Sequence, residues 1–304
     1  MTIGIAAFGS NAGRAVLAAL SAVEAVGTGA IGGFVSAVGL ADGRVLRAET
    51  QDGGTAALRF APSGPDFETT TMAALISSGP NRPEPLSAFA LAEPGVGIVT
   101  GHRLPNAVGQ DGVPMNRKVL HLMRAGIPAC AAIEKVIAAN PGADCGLAAI
   151  DANGNGFALQ TVAAVRPDSH LLCRAEGKAT VCMLHNAIQP HKPLAALAIE
   201  VALNVIQPEL RPTAHIVLAR GCPVRTGDEP ALTIGEDRTV REIRVPNAST
   251  LGEQVLNLGY RPVVLGSGDL REVLAYEPFV VANDGLVVSV DGAESMQIAT
   301  GEAA

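Results

Sequence analysis

An α+β fold, with two stacked and mainly antiparallel sheets and helices on the outside, is what the sequence predicts for residues 1 to about 210. Three observations carry that prediction. Asp42-Gly43 and Asn153-Gly154 each sit between short runs of strand-forming residues, and Asp-Gly or Asn-Gly in that setting is a hairpin turn. Two consecutive amphipathic segments, Arg117 to Ala125 and Pro128 to Ala139, read as a helix pair split by Gly126. The chain is also 48% hydrophobic, with no Trp, 2 Tyr and 7 Phe. Its apolar content is therefore mostly Ala, Val, Leu and Ile, whose small side chains let helices and sheets pack closely in layers.

The elements follow in order. Ile3 to Phe8 is an apolar strand before the turn Gly9-Ser10-Asn11. Ala12 to Val26 has helical spacing through Val16, Leu17, Leu20 and Val23, and Gly27 stands where a helix ends. Ile31 to Gly39 and Arg44 to Thr50 pair around Ala41-Asp42-Gly43. A strand is expected at Thr70 to Ser77, then a proline-rich loop from Gly79 to Pro85. Gly95 to Val99 reads as a short strand ended by a turn at Thr100-Gly101-His102. After the helix pair, stopped at Asn140-Pro141-Gly142, come strands at Gly146 to Asp151 and Gly156 to Thr161. Pro193 to Ile206 is a helix with proline in its first turn. The domains are read as 1–211 and 212–304, divided at Arg211-Pro212. The second is a smaller α+β unit of short strands (His215 to Ala219, Thr239 to Val245, Pro262 to Leu265, Phe279 to Ala282, Leu286 to Val290). It has one helix at Thr250 to Leu258 and a frayed tail from Glu294.

Composition excludes several function classes. A disordered chain needs low hydrophobicity and high charge, whereas only 17% of these residues are charged. The net charge of −7 speaks against nucleic acid or an anionic membrane as the main partner. No apolar run approaches the roughly 18–20 residues of a membrane-spanning helix, and the start of the chain lacks the basic segment of a secretion signal. Five cysteines without paired spacing read as free thiols of the cytoplasm.

Three motifs carry possible chemistry. Gly9-Ser10-Asn11-Ala12-Gly13 lies between strand and helix, where main-chain N–H groups can hold an anion. It lacks the glycine spacing of a dinucleotide fold and the Lys of a phosphate loop, so a plain loop and helix cap explains it as well. Cys182, His185 and His191 make three of the four ligands a zinc site needs, and no metal is expected; His185-Asn186, before Pro190, reads instead as a polar loop near a pocket. Threonines before strands are the third. A threonine that begins a chain can attack an amide carbonyl with its own α-amine as base, an amine whose ordinary pKa is about 8. Thr2 and Thr69-Thr70-Thr71 both precede strands, although threonine is also simply a common strand residue.

A resemblance enters on these residues. Ala15 to Ala57, an alanine-rich helix, glycine turn and Asp-Gly hairpin, is similar to the segment before the nucleophile in gamma-glutamyltranspeptidases and plant-type asparaginases. Gly97 to Leu159, with its Thr100-Gly101 pair, two helices and glycine-turn hairpin, resembles the later part of type 2 asparaginases and glycosylasparaginases. Thr2-Ile3-Gly4-Ile5-Ala6-Ala7 resembles a nucleophile strand of the latter. The resemblance implies the N-terminal nucleophile hydrolase superfamily and its αββα four-layer sandwich. It implies an amide-bond hydrolase with a threonine nucleophile, acting on a small polar substrate that bears a carboxylate. Chain order places the nucleophile at Thr71 or Thr70, ahead of Thr2. Thr100, Gly101, Gly32 and Gly33 are then candidates to line the oxyanion, and Arg103, Asn106 and Arg117 to hold the carboxylate. The expected partner is a small molecule, with no cofactor, and a homo-oligomer is compatible with the sequence. Two other readings compete: the same fold without catalysis, binding a metabolite or partner, and a nucleotide-binding α/β enzyme that uses Gly9 to Gly13.

Overall fold

The computed structural model describes residues 1–58, 64–208, 212–246, 254–257, 263–264, 271–275 and 277–302. The chain divides into two compact units, Met1–Pro208 and Glu209–Ala304. The first is a mixture of helix and antiparallel sheet, and the second, among its described residues, is sheet that is antiparallel apart from one parallel pair of short strands, so the chain as a whole is of the α+β class.

In the first unit, β1 (Ile3–Phe8) leads into α1 (Ala12–Val26). A two-residue β2 (Thr28–Gly29) precedes the hairpin β3 (Val35–Ala41) and β4 (Arg44–Thr50). Two short helices, α2 (Gly54–Leu58) and α3 (Gly64–Glu68), lead to β5 (Met72–Ser77). Then come β6 (Leu91–Glu93), β7 (Gly97–Arg103), α4 (Met115–Arg124), α5 (Ala129–Ala139), β8 (Cys145–Asp151) and β9 (Gly156–Gln160). The unit closes with β10 (His170–Glu176), β11 (Ala179–His185), β12 (Ile188–Gln189) and α6 (His191–Ile206). One sheet has six strands in the order β10-β11-β1-β5-β3-β4 and another has four, β6-β7-β8-β9. Both are antiparallel throughout.

Strand alternation decides where each core sits. Ile3, Ile5 and Ala7 of β1 join the buried stripe of α1 (Ala12, Ala15, Val16, Ala19, Leu20, Val23) and that of α6 (Leu194, Ala195, Ala198, Ile199, Ala202). Ala6, on the opposite face of β1, joins Ala74 and Ile76 of β5 with Ile98 of β7 and Ile150 of β8. The remaining face of the four-stranded sheet, through Val99, Leu147 and Ala149, packs on Val119, Met123, Ile133 and Val136 of α4 and α5. Alanines recur at these contacts, and they let α1 and the sheet come close without voids.

The structure corrects several expectations. Thr100-Gly101-His102 is not a turn, because β7 runs on to Arg103 and pairs with β8 as far as Cys145. No strand was expected between His170 and His185, and His185-Asn186 read as loop; yet β11 is buried along its whole length beside β1. A strand covered on both faces shows no alternation to read. Nor are all cysteines free: Cys173 and Cys182 stand opposite each other on β10 and β11 and form a disulfide, while Cys130, Cys145 and Cys222 are thiols. Cys182 is therefore no metal ligand. It also faces away from His185, three residues along the same strand, and among the described residues no three His, Cys, Asp or Glu side chains group as a metal site.

The second unit is all strand among its described residues: β13 (Pro212–Ala219), β14 (Val224–Thr226), β15 (Ala231–Ile234), β16 (Val240–Val245) and β17 (Gln254–Asn257), then β18 (Val263–Val264), β19 (Arg271–Leu274), β20 (Phe279–Asn283), β21 (Leu286–Val290) and β22 (Ser295–Glu302). Two expectations fail here. Gln254–Asn257 is a strand paired with β20, not part of a helix from Thr250 to Leu258. The tail expected to fray is β22, which lies between β13 and β19 in a four-stranded sheet. It is anchored from below: Arg238 donates to both Glu272 oxygens, at 2.9 and 2.6 Å, and to the Thr300 hydroxyl at 3.0 Å. Arg211, at the expected boundary, lies outside the described residues.

Candidate functional site

β1 is a central strand, so its two ends are where loops from both of its neighbours converge. At its start stands Thr2, 5% exposed. The Thr2 N–H donates to Ser77 O at 3.1 Å, and Asn186 N–H donates to Thr2 O at 2.9 Å. The main chain of Thr2 is thus fixed from both sides, by the end of β5 and by the residue after β11. Its hydroxyl donates towards Ala30 O at 2.6 Å, with Ser77 O at 3.2 Å. The ends of β5 and β11 and the loop after β2 therefore meet at Thr2, and Ala30 O and Ser77 O are the groups its hydroxyl reaches.

The surroundings are rich in positive charge and backbone. Arg82, in the proline-rich loop, donates to Gly79 O at 3.1 Å and to the Ser78 hydroxyl at 3.0 Å. No carboxylate among the described residues pairs with it. Arg103 is different, because Asp144 accepts from its Nε at 2.9 and 3.0 Å. That pairing holds the Asp144 carboxyl below the usual range. Met1 lies over Thr2, with its amine donating to Arg103 O at 2.8 Å and its carbonyl accepting from Arg103 N–H at 2.8 Å. Burial and then the Arg82 and Arg103 charges lower that amine from 8.0 to about 6.

Behind Asn186 sits His102, wholly buried, its Nδ1 3.0 Å from Asn186 Oδ1. Burial lowers it from 6.5 to about 4, against the opposing hydrogen bonds of Asn186 and Gln160, so the ring is neutral at pH 7. Glycine makes room for it. A Cβ at Gly146, which faces His102 across β7 and β8, would lie 2.2 Å from the imidazole. Likewise a Cβ at Gly4 would lie 2.3 Å from Gly101 O, so glycine here lets the two sheets touch.

The expected residues separate into two ends of the sheet. Thr2, Gly32, Gly33, Gly101 and Arg103 are gathered near one end. Gly33 N–H is already given to Ser78 O at 3.1 Å, and Thr100 spends its hydroxyl on Leu75 O at 2.8 Å inside the unit. Neither group is then free to serve an oxyanion. Thr70 and Thr71 precede β5, which runs antiparallel to β1, so they lie at the far end, about 20 Å from Thr2 at some 3.3 Å per strand residue. Thr70 is fully buried with its hydroxyl on Phe67 O at 2.9 Å, a packing role beneath α1. Thr71 is exposed and lines an open cleft of about 240 Å³ with Phe8, Asp42, Gly43 and Gly95. None of the arginines considered above borders it. Asn106 lies in the loop after β7 and Arg117 is exposed on α4. No contact joins either to Thr2 among the described residues. The anion cradle at Gly9 to Gly13 is also closed: Gly9 N–H and Ala12 N–H are given to Thr71 O and Thr70 O at 2.9 and 2.7 Å. With an antiparallel sheet in place of the parallel one a nucleotide fold needs, that reading loses its basis.

Arg82, His102 and Ala30 are not singled out as site residues by the sequence, whereas Asn186 is, within the polar loop near a pocket that His185-Asn186 is expected to form.

Comparison with known proteins adds the following. The structure of glutamine phosphoribosylpyrophosphate (PRPP) amidotransferase from B. subtilis complexed with ADP and GMP is similar over 60% of this chain and 41% of its own, at 11% identity and a TM-score of 0.39. The chain thus spans less than half of that protein. No curated protein matches. Residues 221–295 match the domain of unknown function DUF7259. Residues 2–215, more than two thirds of the chain, match the domain of unknown function DUF6963, and the chain belongs to that family.

Proposed function

We propose that the first unit is an αββα four-layer sandwich of the N-terminal nucleophile type, and that it hydrolyses an amide bond of a small carboxylate-bearing substrate with Thr2, not Thr71 or Thr70, as nucleophile. Three cores support this layering, with α1 and α6 on the six-stranded sheet, that sheet on the four-stranded one, and the latter on α4 and α5. The observation that carries the reading is the position of Thr2, at the mouth of a central strand with its nitrogen and oxygen both held.

Cleavage of the Met1–Thr2 bond frees the Thr2 α-amine two carbons from its own hydroxyl. The neutral amine takes the hydroxyl proton as the oxygen attacks the substrate carbonyl, and it returns that proton to the leaving nitrogen. An ester to Thr2 remains. Water then attacks the ester, passes a proton through the same amine, and releases the acid. Arg82 has no acidic partner among the described residues and supplies the paired N–H donors that suit a substrate carboxylate.

The test is intact mass together with turnover of a panel of carboxylate-bearing amides. The purified chain is expected to begin at Thr2. Thr2→Ala should lose 10²-fold or more in turnover, on the order expected for a nucleophile, while Thr71→Ala stays within about twofold. An active chain that retains Met1, or an active Thr2→Ala variant, overturns the proposal.

A further inference from the structure

Residue 1 is held as a bound peptide would be. Met1 and Arg103 exchange both main-chain hydrogen bonds at 2.8 Å, which is one hydrogen-bonded pair of an antiparallel ladder added to the end of β7. The bonds run to Arg103 itself, whose backbone is left-handed at φ 60°. For a residue other than glycine that conformation is uncommon and needs support. The Asp144 clamp on the guanidinium supplies it. The clamp also neutralises the side chain, so what Arg103 presents towards Thr2 is a main-chain N–H and C=O.

Once the bond before Thr2 is cut and residue 1 departs, those two groups lose their partner beside the hydroxyl. We propose, resting on the reading of Thr2 as nucleophile, that the Arg103 main chain is the substrate-docking edge and that the substrate class is an aminoacyl amide. The α-amine of the aminoacyl group donates to Arg103 O, as the Met1 amine does. Its carbonyl accepts from Arg103 N–H, as the Met1 carbonyl does, and that N–H is then the donor to the oxyanion when Thr2 attacks. Residue 1 is in this sense a stand-in for the acyl half of the substrate, and a chain that keeps it has the edge filled. Recognition by two main-chain bonds sets no strong preference for the side chain of that aminoacyl group.

The experiment uses two full-length chains, each released from a fusion so that it begins at Thr2 or at Met1. Binding of L-methionylglycine, an aminoacyl amide whose leaving group bears a carboxylate, is compared with that of its deaminated analogue, N-(4-(methylthio)butanoyl)glycine, by calorimetry, and the cleavage of both amides is followed by release of glycine. The chain beginning at Thr2 is expected to bind the aminoacyl amide at least tenfold more tightly than the analogue, and the chain beginning at Met1 to bind neither. Equal binding of the two amides, or equal binding by the two chains, overturns the inference. Cleavage of both amides at equal rates leaves the hydrolase reading standing and removes the aminoacyl edge. Discrimination in binding without any cleavage supports the edge and removes the hydrolase.

Discussion

His102 touches no surface, yet it reaches the candidate nucleophile through one residue. Its ring holds the Asn186 side chain at 3.0 Å, and the Asn186 main chain holds Thr2 O at 2.9 Å. Taking the ring out of water disfavours its charged form, which is why its pKa falls from 6.5 to about 4. The unfolded chain has no such burial and takes up the proton near pH 6.5. Between pH 6.5 and 4 the unfolded state therefore binds more protons, and stability falls as the pH drops through that window. For this one residue the loss is on the order of 3 kcal/mol. Urea unfolding at pH 7 and pH 4.5 is expected to show it, and His102→Gln should remove most of the difference between the two while keeping a hydrogen bond to Asn186. A wild-type protein and variant with equal pH dependence would show that His102 titrates normally.

At the scale of elements, the pairing of β7 with β8 is what delivers His102 to its place. Register sets His102 opposite Gly146 and Gly101 opposite Leu147, and the strand period then turns Thr100 and His102 towards β1 and β5. Gly146 is the condition for that arrangement, since its Cβ would lie 2.2 Å from the imidazole. Gly146→Ala is expected to cost about 1–3 kcal/mol as overpacking. Gly142→Ala, where an added Cβ meets nothing within 4 Å, should stay within about 0.5 kcal/mol. The midpoints of urea unfolding at pH 7 check both. An unchanged midpoint in Gly146→Ala would mean that the ring moves aside at no cost.

At the scale of the whole molecule, each unit has its own core. The first is closed by helices α1, α4, α5 and α6 on two sheets. The second clusters Ile216, Leu218, Leu232, Ile243, Val280 and Ile298 with no residue from the first. Every residue placed at the candidate site, from Met1 to Asn186, belongs to Met1–Pro208. A chain of residues 1–208 is therefore expected to unfold in one cooperative step and to keep the activity of the full chain within a few-fold, measured by calorimetry and turnover. A non-cooperative transition, or loss of activity with the fold retained, would give the second unit a part in the site.

By itself the sequence determined the elements whose signal is local. Ile3–Phe8, Ala12–Val26 and Arg44–Thr50 coincide with the structure residue for residue, because alternation, a 3.6-residue apolar stripe and an Asp-Gly turn are each complete within a short window. It also marked threonine before a strand as the chemistry to look for. What only the tertiary structure decided is which residues surround each threonine. Thr2, Ala30, Ser77, Arg82, Arg103 and Asn186 are scattered over some 185 residues and meet because β1 runs between β5 and β11. Chain order favoured Thr70 and Thr71, but an antiparallel strand carries its first residue to the far end of the sheet. β11 and β22 were hidden for a related reason. β11 is covered on both faces, by α6 on one and by β8 and β9 on the other, and β22 gains its order only by lying between β13 and β19. Local pattern specifies an element, whereas the convergence of its ends with others is settled by pairing and register, to which no short stretch of sequence has access.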